Sequence, residues 1–209
     1  MLECSAMGLR ERKKLRTAEA IEDAALSLFA ERGFQATTIA DIAEVAEIAP
    51  RTFFAYFPSK ESVLFGDFDP LVRSLAEHLE SRGAQSLLDA LRTWIVAIVE
   101  RDGLPDERRR RRRQVIEASD ELLAYELRLT ARFESVIAIA VASELDADPR
   151  DLHPRLVAAA VAAMLVALRP GSNGAEIPSA AETLDRLDDA LAFLRGGLSA
   201  LRRRRDRTA

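Results

Sequence analysis

The sequence predicts an all-α protein in two parts, and three observations carry that expectation. Apolar residues recur at helical spacing along most of the chain, and no alternating β-branched run is long enough to build a sheet. Apolar residues make up 48% of the chain but aromatics only 6%, with few Gly and Pro, a composition that suits helices. Two short helical stretches joined by a tight turn are followed by much longer ones, which divides the chain into a head at 1–66 and a larger helical part at 67–209. Residues 1–9 read as a disordered tail, and 209 residues are enough for a proper core.

The head begins with an amphipathic helix from Arg10 to Arg32, with Ile21, Ala24, Ala25, Leu28 and Phe29 on one stripe. Gly33 and Phe34 fit a Schellman stop. Thr38 is the expected N-cap of the next helix, with Asp41 at its third position closing a capping box. Ile39, Ile42, Ala43 and Ala46 give that helix an apolar face, and Glu47-Ile48-Ala49 makes a turn with Ile48 as its apolar plug. Pro50 then stands at the first position of another helix, where its missing N–H costs nothing. Phe53 and Phe57, four residues apart, point inward and leave Arg51, Thr52, Ala55 and Tyr56 facing out. Ser59 opens the next helix. This is the layout of a helix-turn-helix, whose second helix enters the DNA major groove.

The run AALSLFAERGFQATTIADIAEVAEIAPRTFFAYFPSKESVL resembles the N-terminal domain of the TetR/AcrR family of transcriptional regulators, over roughly residues 10 to 65. The form FFAYFPSKESVLFGD further resembles a branch that binds acyl-CoA-like ligands and includes mycofactocin-type regulators. Two positions depart from the family pattern: Glu47 replaces the usual turn Gly, and Ala49 replaces the Ser that caps the recognition helix. The resemblance implies that Thr38, Tyr56 and Lys60 reach phosphates, and that Arg51, Thr52, Phe54 and Ala55 lie toward base edges. It also implies a homodimer that binds double-stranded DNA, in most such proteins a repressor released by a small-molecule effector. An architectural DNA-binding protein without a ligand is the alternative, and a helical enzyme or adaptor a more distant one.

The formal net charge of −4 does not look like that of a DNA-binding protein, and residues 1–60 carry eight Lys or Arg against nine Asp or Glu. Placement matters more. Arg10, Arg12, Lys13, Lys14 and Arg16 cluster in the arm against Glu11, while Arg51 and Lys60 flank the recognition helix. Local cations can meet phosphates while carboxylates beyond a Debye length of roughly 10 Å are screened. The single Cys4 makes no disulfide framework, no signal segment is evident, and the longest apolar run, Leu156 to Leu168, is too short to span a bilayer. A cytoplasmic protein without membrane contact is expected.

In the larger part, Asp69-Pro70 opens a helix to about Arg82, and Gln85 or Ser86 opens one through Arg101. Leu104-Pro105-Asp106 starts another, and Ser119-Asp120 precedes a long helix ending near Leu145. Asp148 to Asp151 caps a helix to Leu168, Pro170 to Pro178 is a loop, and Ser179 with Glu182 is the capping box of the last helix. That helix carries Leu184, Leu187, Leu191, Leu194, Leu198 and Leu201 at spacings of three and four, a strict coiled-coil seam. The helix before it is rich in alanine, at 158, 159, 160, 162, 163 and 167. The leucines read as a dimer interface, or as the face that packs the last helix onto its own domain. Gly196-Gly197 suggests a close approach there.

Chemistry is sparse. His78 and His153 stand outside any metal-ligand spacing, and no nucleophile, acid–base pair or phosphate loop appears. No enzyme, cofactor or metal is expected. Phe68, Trp94, Tyr125 and Phe133 are aromatics on the right helices to line an effector site, though such a residue is more often core than pocket. The run Arg108–Arg113 circles its helix, so it reads as a solvated, salt-bridged helix start or as a site for an anionic ligand such as a CoA-type phosphate.

Overall fold

Ten helices and no strand make up the described residues of the computed structural model, which are 8–102, 107–168 and 179–206. Cys4, the expected helix start at Leu104–Asp106 and the loop from Pro170 to Pro178 lie outside them. By its contacts the chain divides into two units, one formed by 1–66 with 107–123 and the other by 67–106 with 124–209.

The first unit holds α1 (Leu9–Arg32), α2 (Ile39–Val45), α3 (Pro50–Phe53), α4 (Ser62–Phe65), α7 (Glu107–Glu117) and the first residues of α8 (Asp120–Leu145). Helix α1 packs on α2 and α7, and α2 packs on α3. The stripe Ile21, Ala24, Ala25, Leu28 and Phe29 is buried with Phe34, Ile42, Phe53, Val63 and Leu64, and α7 adds Val115 and Ile116 to the same core. Each helix end has a local cause. The Thr38 hydroxyl accepts from the Asp41 amide at 3.1 Å while the Asp41 carboxylate accepts from the Thr38 amide at 2.8 Å, a complete capping box. At the end of α1 the Schellman expectation is not met. Gly33 sits at φ 84, ψ 158, an extended mirror-image region that only glycine enters freely, instead of the left-handed helical one.

The second unit holds α5 (Phe68–Glu80), α6 (Leu87–Asp102), the rest of α8, α9 (Leu152–Ala167) and α10 (Ala180–Asp206). Ser86 and Ser179 cap α6 and α10 through Asp89 and Glu182. Helix α10 packs on α6 and α9, and α5 packs on α6. Leu187, Leu191, Leu194 and Leu198 are buried in this unit's core, and Leu184 is packed against it. Leu187, Leu191, Leu194 and Leu198 thus pack within their own unit, the second of the two readings that the sequence leaves open for the seam. Two ion pairs between α6 and α10 reinforce that packing. Arg92 donates to both carboxylate oxygens of Asp188, at 2.6 and 2.9 Å, and Arg195 donates to Asp89 at 2.6 Å. The Arg92 hydrogen bond holds the Asp188 carboxyl below the usual carboxylate range.

With the seam turned inward, a different apolar stripe remains uncovered. On α9, Leu152, Leu156, Ala159, Ala163 and Val166 are exposed at spacings of four, three, four and three. On α10, Phe193 is 80% exposed, and Gly196 and Gly197 follow it on the open side of the helix. A Cβ added at either glycine would meet nothing within 4 Å. Among the described residues, no neighbour requires glycine there.

Candidate nucleic-acid interface

The recognition segment is short and pinned from below. Phe53 is fully buried, with Phe54 edge-on to it at 5.7 Å between ring centroids and Phe57 at 5.8 Å. Anchoring by Phe53 leaves Arg51 and Ala55 exposed, Thr52 half-buried and Phe54 56% exposed. The exposed Phe54 stands three residues from the exposed Arg51. Past Phe53 the backbone continues as hydrogen-bonded turns, with the amides of Tyr56 and Phe57 both donating to the Phe53 carbonyl at 2.9 Å. The Tyr56 ring packs partly against the head core.

The turn before it holds the expected departures from family pattern. Glu47 has φ 53, in the left-handed region. Ala49 takes the extended conformation of an N-cap, φ −71 and ψ 143, and supplies no side-chain cap. The Thr52 amide still reaches the Ala49 carbonyl at 2.7 Å.

Thr38 and Lys60 are more heavily engaged within the head than sequence reasoning expected. The Thr38 hydroxyl also donates to Asp41 at 2.6 Å, so a phosphate at this spot would compete with Asp41 for that proton. These bonds from Thr38 hold the Asp41 carboxyl below its ordinary range, with Arg32 adding to the effect. The Lys60 ammonium donates to the carbonyls of Phe34 at 2.6 Å and Thr37 at 2.9 Å, and lies 4.1 Å from the centroid of the Phe34 ring. An ammonium has three N–H groups, so one is left for a phosphate. Thr37, which the sequence reading passed over, is buried and donates to the carbonyls of Gly33 at 2.9 Å and Leu28 at 3.3 Å. Thr37 and Lys60 together tie down the segment between α1 and α2.

Basic residues Arg10, Arg12, Lys13, Lys14 and Arg16 are all exposed on the first turns of α1. In the second unit, three of the four aromatics singled out from the sequence come together. Phe68 and Phe133 meet edge-on at 4.9 Å, and Trp94 stands 6.3 Å from Phe133 with its indole N–H donating to Ser74 at 3.1 Å. Trp94 and Phe133 are buried in the core, where they fill space. Tyr125 stacks under Arg128 of its own helix, 5.4 Å from the ring centroid. Among the described residues no group of three or more His, Cys, Asp or Glu is placed to hold a metal, and no helix is long and apolar enough to cross a membrane.

Residues 21–65 match the family described as bacterial regulatory proteins, tetR family, and residues 85–199 match the MftR C-terminal domain. The candidate mycofactocin biosynthesis transcriptional regulator MftR of Mycobacterium tuberculosis is 36% identical over 150 residues, 70% of this chain and 75% of that protein. The HTH-type transcriptional regulator TcmR of Streptomyces glaucescens is 34% identical over 161 residues, 73% of this chain and 71% of that one. Among solved structures, Salmonella enterica GusR superposes with a TM-score of 0.57 at 21% identity, covering 88% of this chain and 96% of its own.

Proposed function

The chain belongs to the TetR family of bacterial regulatory proteins, with an MftR-type C-terminal domain, and from that premise we propose that it is a homodimeric repressor of a near-palindromic operator. The observation that carries this reading is the exposed face of α3. Arg51, Phe54 and Ala55 are held out to the solvent around the buried Phe53, with Thr52 half-buried beside them, and the four address base edges. Thr38, Tyr56 and the remaining N–H of Lys60 address the flanking phosphates, and the arm cations add sequence-independent attraction.

One short reading element gives little specificity alone, so two heads on a two-fold axis are needed. The dimer surface of this reading is the uncovered stripe Leu152, Leu156, Ala159, Ala163 and Val166 on α9, together with Phe193, Gly196 and Gly197 on α10. Glycine inside a helix costs about 1 kcal/mol against alanine. A pair of them with empty space around is best accounted for by a second chain that comes close.

The effector of this reading is small and apolar or acyl-bearing, and its binding releases the operator by a coupling on the order of 1–3 kcal/mol. The MftR-type match over 85–199 supports it. Two measurements test the whole. Selection from a random duplex library should return a near-palindrome, and a thermal-shift screen of hydrophobic acids and acyl-CoAs should raise Tm by mass action. A selected site without two-fold symmetry would overturn the dimeric reading, and a flat screen the acyl effector.

A further inference from the structure

Helix α7 is chemically unlike the rest of the fold. Arg108–Arg113 fill its first turns, yet its far end sends Val115 and Ile116 into the core of the head. The arginines do not act as one patch. Arg113 donates to Glu117 at 2.6 Å, while Arg110 and Arg111 stand 3.8 and 3.7 Å from Glu107, all within α7. Arg108 and Arg112, one helical turn apart and so on one face, reach across to α1. Arg108 donates to Asp23 at 2.9 Å and lies 3.9 Å from Glu22, and Arg112 donates to Glu22. The Arg112–Glu22 pair is sheltered, with side chains 22% and 15% exposed.

Glu22 and Asp23 lie between Ile21 and Ala24, two residues of the stripe that shares a core with Ile42 of α2 and Phe53 of α3. Apolar burial between α1 and α7 is non-directional and tolerates a slide. An ion pair that is poorly hydrated does not, because displacement leaves a charge without its partner. We propose that Arg108 and Arg112 are positioning residues of the DNA-binding head. By gripping Glu22 and Asp23 they fix α7 in register on α1, and with it the pose from which α1 presents the arm cations and supports Phe53. Neither arginine touches DNA. The working head is then discontinuous, made of the N-terminal helices and a helix that arrives some forty residues later in the chain. The inference rests on the DNA-binding reading of α3, which the wild-type protein tests separately.

The probe is a duplex carrying the site that the full-length protein selects from a random library. Glu22→Gln and Arg112→Gln should each weaken binding about tenfold, within the range seen for residues that act through others. The exchange Glu22→Arg with Arg112→Glu should recover affinity to within about threefold. Arg111→Gln, at an exposed position paired within α7, should bind as wild type with an unchanged salt slope. If either single variant melts too low to assay, Arg112→Lys keeps the charge and loses the planar fork, and should bind about two- to fivefold more weakly. Wild-type affinity in the folded single variants or in Arg112→Lys, or an exchange that folds without recovering affinity, would overturn the proposal. So would a lower salt slope in Arg111→Gln, which would make the arginine run a phosphate contact.

Discussion

The Ile48 amide donates to the Ala43 carbonyl at 2.9 Å, and with the Glu47 amide on the Glu44 carbonyl at 3.1 Å it completes a Schellman stop at the end of α2. Glu47 occupies the left-handed position of that motif at φ 53, and its side chain is exposed. An L residue there costs about 1–2 kcal/mol. Replacement by glycine removes that cost and adds roughly 0.5–1 kcal/mol of chain entropy to the unfolded state. Glu47→Gly should therefore raise stability by about 0.5–1 kcal/mol net, read as a higher Tm with unchanged operator preference. A lower Tm would mean that the glutamate side chain makes a compensating interaction.

What could be read from the sequence, and what could not, divides by distance along the chain. The boxes Thr38–Asp41 and Ser179–Glu182 were legible because donor and acceptor are three residues apart and helix geometry brings them together. The four-residue spacing of Phe53 and Phe57 made part of the recognition surface legible: Arg51 and Ala55 are exposed as expected, whereas Thr52 and Tyr56 are half-buried. Lys60 was read only as a phosphate contact, since its carbonyl partners lie 26 and 23 residues upstream and carbonyls leave no mark in a sequence. The leucine seam showed that one face of α10 is buried but not against what, because periodicity is blind to the partner. The second stripe on α9, with two of its five positions alanine, was hidden by its own plainness. Arg108 and Arg112 meet acids 85 to 90 residues away, and nothing local separates them from their neighbours in the run.

The uncapped N-terminus of α3 offers a direct gain. Ala49 already holds the extended backbone that a capping residue uses. Ala49→Ser should let a hydroxyl accept from an amide of the first turn and add about 1 kcal/mol. Chemical denaturation should show a higher midpoint at constant m-value. No gain would place the serine hydroxyl out of reach of the amides it is meant to cap.

Lys60→Ala removes two hydrogen bonds to carbonyls and a cation–π contact, so it should destabilise the head as well as weaken DNA binding. Hydrogen bonds from a charged donor contribute about 1.5–3 kcal/mol each at most. A loss of about 1–3 kcal/mol is expected, because water reaches this half-buried site and replaces part of the bonding. The salt slope should fall by about 1 when measured well below the lowered Tm. A variant with wild-type Tm would refute the tie between Lys60 and the α1–α2 segment. A variant with unchanged slope would refute its phosphate contact.

Acid should loosen the start of α2 through Asp41. Its carboxyl titrates below the ordinary range because the Thr38 hydroxyl and amide bind its charged form. A group whose folded pKa is depressed contributes stability in full above its unfolded value, near 4, and loses it as pH falls through the folded value. Asp41→Asn should flatten the decline of stability between about pH 5 and pH 2. Equal slopes in the two proteins would show that the cap does not depend on the carboxylate charge.

Two substitutions on α10, two residues apart, should separate folding from assembly. Leu191 is 3% exposed in the core of its own unit, and a carboxylate there would be buried without a partner at a cost of several kcal/mol. Leu191→Glu should unfold the second unit, seen as lost helicity and a collapse of its thermal transition. Phe193 is 80% exposed, so Phe193→Glu should leave the fold and its helicity intact. On the uncovered face it would set two like charges against each other across a two-fold axis, with each carboxylate desolvated by its partner. Sedimentation should then give a folded monomer, and operator binding should fall far more than the untouched α3 face would suggest, since one head reads only half a site. A Phe193→Glu protein that still sediments as a dimer would place the interface off this stripe. A folded, monomeric Leu191→Glu would return it to the leucine seam.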